Sequence, residues 1–204
     1  MSLEELFERQ RELDLKIPSS VAVYGVGGIG SWIALNFALV GVKKLYLIDP
    51  DKIEMHNLNR TPFKLSQVGM LKVDAIEELI LERRPDVEVI SFDKKVENLT
   101  TEEKEEVGKA IVKVDARDTT QRLIGLLEPD VKVGYDGTRV TMDFRKRKSF
   151  WGEANTYTIV PSFLVTPQFV AALVVFAFTR KKPGEKLFSF DLDNIWNMLG
   201  GDGK

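Results

Sequence analysis

Residues 21–60 constrain the fold more than any other stretch of this chain: VAVYGVGGIGSWIALNFALVGVKKLYLIDPDKIEMHNLNR. Residues 21–24 are apolar or aromatic and read as a short buried strand. Gly25, Gly27, Gly28 and Gly30 follow at once, and residues 31–40 carry apolar side chains at helical spacing. A second strand over 44–48 ends in Asp49. Strand, glycine turn, helix, strand and acid, in that order, make a βαβ unit of the nucleotide-binding type. Glycine has no Cβ, so the backbone turns sharply and can lie against phosphates. The first amides of the following helix then face the anion, with the helix dipole aligned behind them. An acid ending the second strand can accept hydrogen bonds from ribose hydroxyls.

The rest of the chain extends this alternation. Residues 2–15 place Leu3, Leu6, Phe7 and Leu13 among Glu and Arg, which predicts an amphipathic helix lying on the domain or on a partner subunit. Residues 66–84 read as a helix with Val68, Leu71, Ala75, Ile76, Leu79 and Ile80 on one face and Pro85 as its stop. A strand over 87–92 follows, then a charged helix over 101–109 capped by Thr100 or Thr101. Residues 110–114 form the next strand, ending at Asp115, before a short helix over 119–127 and a strand over 131–135. Such alternation predicts a parallel sheet covered on both faces. Residues 139–145 and 154–160 alternate as an antiparallel pair, with Lys146-Arg147-Lys148 as a basic turn between them. A helix over 167–182, a strand over 187–192, a last turn or two of helix over 193–199 and a frayed end at 200–203 complete the reading. The expected architecture is a single α/β, Rossmann-like, three-layer αβα domain over 1–204, with a mostly parallel sheet and a C-terminal antiparallel extension. Within it, 1–17 is an N-terminal helix, 18–136 the nucleotide-binding core and 137–204 the extension.

Composition narrows the function classes. The chain has 204 residues and a net charge of −2, so it holds a full core and exerts no bulk attraction on nucleic acid or anionic membrane. Its longest apolar run, 169–178, is too short to span a bilayer. Residues 1–16 are heavily charged and show no secretory signal, which makes the cytoplasm the default expectation. There is no cysteine, which excludes a disulfide framework, a Cys-based zinc site and a thiol nucleophile in this chain.

Just past Asp49 the sequence crowds together Asp51, Asn57, Arg60 and Lys72. A dehydrogenase needs an adenosine pocket there rather than two cations. Arg60 and Lys72 suit a polyphosphate, as a bidentate clamp and a point charge. Asp118 follows the strand over 110–114 and falls on the shared carboxyl edge where ligands bind, a position suited to Mg²⁺ against those phosphates. Each feature also has a plainer reading: a tight turn without ligand for the glycines, surface salt bridges for Arg60 and Lys72, and a helix N-cap beside Thr119 for Asp118. His56, the one histidine, has no Cys or second His with which to share a metal and reads as a loop residue. Trp32 reads as core or interface, and the basic turn lacks the aromatic platform of a nucleic-acid site.

At these residues the chain resembles the ThiF/MoeB/HesA family, the adenylating fold of ubiquitin-activating enzymes. The matching motifs are G-V-G-G-I-G-S, L-I-D-P-D, N-L-N-R, V-G-M-L-K and V-D-A-R-D, in family order, and the resemblance covers about residues 18–127. It implies binding of ATP and Mg²⁺ and adenylation of the C-terminal glycine carboxylate of a ubiquitin-like or sulfur-carrier protein. By matching positions, Gly25, Gly27, Gly28 and Gly30 form the cradle, with Gly28 against the phosphates. Asp49 holds the ribose, with Asp51 beside it. Asn57, Arg60 and Lys72 contact the phosphates, and Arg60 and Lys72 steady charge moving to the leaving pyrophosphate. Asp118 binds Mg²⁺, making Arg60, Lys72 and Asp118 the expected catalytic set, while Asp115 fixes the strand end. The family also implies a homodimer in which an N-terminal arginine, here Arg9 or Arg11, reaches the partner's site; a solvated helix face explains these two arginines equally well.

The chain departs from the family pattern at Thr119, where Asn is usual after the metal-binding Asp, and in a shorter span between Arg60 and Lys72. It also lacks the cysteines of many members, so a thioester or persulfide step cannot run on it. The expected reaction therefore stops at the acyl-adenylate or hands it to an outside nucleophile. Two rivals remain: an NAD(P)-dependent oxidoreductase, which leaves Arg60, Lys72 and Asp118 unexplained, and a non-catalytic scaffold subunit, which has no need of phosphate clamps.

Overall fold

Alternate positions along 21–24 and 45–48 are apolar alike. The structure, a computed structural model that describes residues 3–146, 161–181 and 183–199, buries the two sets on opposite faces of one sheet. Val21, Val23, Leu45 and Leu47 face one layer of helices; Ala22, Tyr24, Tyr46 and Ile48 face the other. Strands buried on both sides are what a parallel sheet requires.

The elements are β1 (Ser20–Tyr24), α1 (Gly28–Val40), β2 (Lys44–Ile48), α2 (Lys72–Leu81), β3 (Glu88–Phe92), α3 (Thr101–Gly108), β4 (Val112–Asp115), β5 (Val131–Asp136), β6 (Arg139–Asp143), α4 (Val165–Thr179), β7 (Leu187–Asp191) and α5 (Leu192–Met198). The sheet has 7 strands in the order β3-β2-β1-β4-β5-β6-β7. From β3 to β5 neighbours pair in parallel, and β6 and β7 add antiparallel pairs. This is the expected Rossmann-like α/β sheet with an antiparallel C-terminal extension. The second extension strand expected over 154–160, most of the basic turn and the frayed end at 200–203 lie outside the described residues. Among those described, no helix is long and apolar enough to cross a membrane.

α1, α2 and α4 pack on the first face through Ile33, Phe37, Ile76, Ile80, Val170 and Val174. α3 and the segments before and after it, with 3₁₀ turns at Val96–Asn98 and Gly125–Leu127, cover the second through Val96, Leu99, Val107, Leu123 and Leu127. Of the two threonines expected as caps for α3, Thr100 serves: its Oγ1 accepts from the Glu103 amide at 3.2 Å while Glu103 accepts from the Thr100 amide at 2.8 Å.

Three expected helices differ. The helix expected over 66–84 is only a 3₁₀ turn at Leu65–Gln67 until α2 starts at Lys72. Gly69 adopts φ +91°, and the backbone of 69–72 pairs with 51–53 instead of entering a helix: Ile53 N–H donates to Met70 O at 2.9 Å and Lys72 N–H to Asp51 O at 2.9 Å. The helix expected over 119–127 reduces to the Gly125–Leu127 turn, because Gly125 takes φ +67° and the Thr119 hydroxyl accepts from the Gln121 amide at 3.1 Å, a local turn that competes with helix.

The N-terminal segment is a 3₁₀ helix, Leu3–Leu13, docked on its own domain. The Phe7 ring lies 4.7 Å from the guanidinium of buried Arg84, which donates to Ala38 O at the end of α1 and grips Asp86 with both arms. Gln10 Nε2 donates to Val40 O at 2.8 Å, and Arg180 at the end of α4 donates to Leu13 O. These anchors sit at the C-terminal ends of α1 and α4.

Candidate functional site

β1 is flanked by β2 on one side and β4 on the other, so the chain changes direction across the sheet between β1 and β4. Ligands of such sheets bind in the crevice outside the carboxyl ends of the strands at that point. The glycine turn lies there. Gly25 adopts φ +86°, its amide donates to Ile48 O at 2.8 Å, and a Cβ on it would meet the Ala116–Arg117 backbone at 3.0–3.1 Å. A Cβ at Gly30 would fall 1.8 Å from Gly25 O, so α1 can leave the turn only if this residue is glycine. Gly30→Ala is expected to cost about 3 kcal/mol or more through overpacking against backbone, read as a lowered urea midpoint. An unchanged midpoint would contradict the geometry. At Gly27 a Cβ would meet nothing within 4 Å, whereas at Gly28 it would meet Tyr135 Oη at 3.1 Å, Arg60 Cδ at 3.7 Å and Pro167 Cβ at 3.7 Å.

Asp49, 5% exposed, leaves β2 directly beside this turn. Its Oδ2 accepts from the Val26 amide at 2.6 Å and its Oδ1 from the Asp51 amide at 2.8 Å. The expected ribose ligand thus also braces the turn, with further lone pairs to offer on both oxygens. Burial pushes its carboxyl above the ordinary value, while Lys72 and the amides of Asp51 and Val26 pull it down.

Because α2 starts late, Lys72 stands in its first turn beside Asp51. Lys72 Nζ lies 2.8 Å from Asp51 Oδ2 and 4.0 Å from Asp49 Oδ1. Asp51 is exposed and Lys72 largely enclosed. Asn57 is buried; its Oδ1 accepts from the Glu54 amide at 3.0 Å, so it shapes the loop that carries Arg60. The Arg60 side chain lies against Gly28, donating to His56 O and to Asn59 Oδ1. Trp32, expected as core or interface, packs against the core and donates its indole N–H to Arg60 O at 3.0 Å, fixing this loop to α1.

At the end of β4, Asp115 is 1% exposed and braces the strand end as expected. Arg117 binds it with both arms, at 2.9 and 3.0 Å, and Lys132 Nζ lies 3.2 Å away on β5. Burial holds the Lys132 ammonium below the ordinary lysine value, with Asp115 opposing. Asp118 lies in an exposed bend beyond it. The helix that it was alternatively expected to cap does not form, and among the described residues no hydrogen bond engages its carboxylate. The structure thus brings Asp49, Asp51 and Lys72 together, and Arg60 against Gly28. Asp118 pairs with none of these residues, and its charge acts on Lys132.

Two helix ends meet over the glycines. Pro167 is in the first turn of α4, and its contact with the Gly28 position sets the N-terminal end of α4 beside that of α1. Both dipoles favour an anion there. The donor set fits a nucleotide polyphosphate: an open glycine face, two cations, and an unengaged carboxylate. Among the described residues no three His, Cys, Asp or Glu side chains gather as a metal site on their own. Mg²⁺ characteristically takes one or two carboxylates and completes its shell from phosphates and water. A cleft of about 330 Å³ lies elsewhere, on the α3 face among Val96, Lys104, Leu123, Ile124 and Leu126; it has neither glycine turn nor carboxylate pair, and the site is located here by topology and donor groups. Arg9 and Arg11 are exposed on the N-terminal 3₁₀ helix, which is anchored at the opposite ends of α1 and α4 from their glycine-turn ends.

Residues 6–123 match the sequence profile of the ThiF family. The chain is 40% identical over 101 residues to ubiquitin-like modifier-activating enzyme 5 of Arabidopsis thaliana, covering 50% of this chain and 21% of the relative. The Caenorhabditis elegans protein of the same name is 38% identical over 89 residues, covering 44% of this chain and 20% of the relative. The match therefore spans about a fifth of the length of these curated relatives. Among solved structures, PaaA aligns with a TM-score of 0.69 at 24% identity, covering 95% of this chain and 72% of PaaA. Escherichia coli MccB, crystallised with ATP, aligns with a TM-score of 0.64 at 21% identity, covering 89% of this chain and 65% of MccB. At these identities the structural likeness shows the fold.

Proposed function

This chain belongs to the ThiF family, and from that premise we propose that it is an ATP- and Mg²⁺-dependent adenylyltransferase that activates a C-terminal carboxylate as an acyl-adenylate. The observation that carries this reading is the convergence, at one switch point, of an open glycine turn with Arg60 against Gly28 and Lys72 against Asp49 and Asp51. A hydride-transfer site leaves this pair of cations, together with Asp118, unexplained.

The reaction asks little covalent chemistry of the protein. A substrate carboxylate oxygen attacks the α-phosphorus, a P–O bond forms, the bond to the β-phosphate oxygen breaks, and pyrophosphate leaves. A carboxylate is already a nucleophile, so no general base is required, and catalysis rests on alignment and charge stabilisation. The α1 amides and Gly28 hold the phosphates in line. Asp49 orients the ribose. Arg60 and Lys72 take up the charge that develops on the leaving pyrophosphate, and Asn57 holds the Arg60 loop in place. Asp118 would hold Mg²⁺, which supplies neutralisation of phosphate charge. The chain has no cysteine, so in this reading the reaction on it stops at the adenylate or hands it to an outside nucleophile. The names of the curated relatives support a ubiquitin-like modifier as the substrate, and a sulfur-carrier protein ending in glycine is the other substrate of the same reading. A homodimer and a cytoplasmic setting belong to the same reading.

Calorimetric titration of ATP with Mg²⁺ into the wild type and into Asp118→Ala tests the metal assignment. The variant is expected to bind about tenfold more weakly, and the difference should vanish when EDTA replaces Mg²⁺. Equal affinities in Mg²⁺ would remove Asp118 from the site.

A further inference from the structure

The Cβ position of Gly28 is closely bordered by a residue that no motif marks. Tyr135, near the carboxyl end of β5, sets its Oη 3.1 Å from the Cβ position of Gly28, on the same spot that Arg60 Cδ approaches at 3.7 Å. Tyr135 Oη lies 2.5 Å from Ser162 Oγ. Ser162 does not hang free. Its segment is tied to the β5–β6 turn by the Gly137 amide donating to Pro161 O at 3.0 Å and by Thr166 Oγ1, a residue wholly buried, donating to Gly137 O at 2.8 Å. β5 is parallel to β4, so Tyr135 reaches the same edge of the sheet as the glycine turn.

We propose that the Tyr135–Ser162 hydroxyl pair is a phosphate-contacting element of the site, in which the Tyr135 phenol donates a hydrogen bond to a non-bridging oxygen of the phosphate lying over Gly28. The argument is one of donors. A pair of hydroxyls shares one hydrogen bond and keeps one proton in hand. When Ser162 donates to Tyr135 Oη, the phenol proton is left for an acceptor beside Tyr135, over the glycine turn. Two helix N-termini and a guanidinium stem make that acceptor an anion. Lys72 and its acids stand on the β2 side of the crevice and Tyr135 on the β5 side, so the phosphates are held from both walls. A phenol donating to a charged oxygen makes a bond of the strong, charge-assisted kind.

This inference rests on the proposal that the site takes ATP, and the test separates the two. ATP and Mg²⁺ are titrated into the wild type, Tyr135→Phe and Ser162→Ala by calorimetry, and the phosphorus NMR spectrum of bound ATP is recorded for each. Tyr135→Phe keeps the ring and its packing, so its melting temperature is expected to match the wild type. Its affinity for ATP is expected to fall about tenfold, and one phosphorus resonance of the bound nucleotide should shift while the other two stay in place. Ser162→Ala should move the same resonance by less. Wild-type affinity and an unshifted spectrum in Tyr135→Phe would overturn the inference while leaving ATP binding intact. A wild type that binds no ATP would overturn the nucleotide reading and this inference with it.

Discussion

Lys72→Ala is expected to weaken ATP·Mg²⁺ binding by about 10- to 100-fold, the range for losing a charged hydrogen-bonding group. The effect has two parts. The ammonium is lost to the phosphates, and Asp49 loses the cation 4.0 Å away that opposes the effect of its burial. The second part has a sign that can be checked. In the proposed site Asp49 accepts from ribose hydroxyls as a carboxylate and would stop doing so on protonation. Burial already raises its carboxyl, and removing Lys72 raises it further, so the acid limb of the binding profile should move to higher pH. Calorimetry across a pH series reads both parts. Lys72→Arg should restore the position of the limb while recovering only part of the affinity, because a planar fork does not replace a point charge. Wild-type affinity in Lys72→Ala would remove Lys72 from the nucleotide site.

Asp115→Ala is expected to lower stability by about 3–5 kcal/mol, the range for removing one partner from a buried ion pair. Asp115 is 1% exposed and its carboxylate serves Arg117 and Lys132 at once, and Lys132 is itself 3% exposed. Arg117 retains Glu97, but Lys132 loses the carboxylate that most opposes its burial. Urea unfolding of Asp115→Ala should show the loss as a lower midpoint. Asp115→Ala combined with Lys132→Met should recover part of it, since an apolar side chain of similar length carries no desolvation penalty. A single variant as stable as the wild type would show that the triad contributes nothing to the strand end.

What could be read from the sequence was what depends on local pattern. Apolar residues at consecutive positions marked strands buried on both faces, and the glycine spacing followed by Asp49 marked the turn and its acid. The parallel pairing followed from the alternation of strands and helices, whereas the strand order did not. Features set by contacts between distant residues could not be read. The periodicity through 66–71 is as helical as that of 72–81, and only the pairing of 69–72 with 51–53, made possible by Gly69, shows that α2 starts at Lys72. That pairing is also what brings Lys72 to Asp51. Arg84 looked like the last charged residue of a helix, yet it is a buried cation shared by Ala38, Asp86 and Phe7. Trp32 offered no sign of its bond to Arg60 O, twenty-eight positions away. Tyr135 and Ser162 carry no motif; Tyr135 meets Gly28 because β5 ends on the same edge of the sheet as the glycine turn, and Ser162 meets Tyr135.

The most direct measurement is calorimetric binding of ATP·Mg²⁺ and, separately, of NAD to the wild-type chain. Micromolar-range binding of ATP with no heat from NAD is the expected result, and it would justify a pyrophosphate-exchange search for the carboxylate substrate. Preference for NAD would contradict the adenylation site, and silence toward both would leave the chain a scaffold that has kept the fold without its nucleotide.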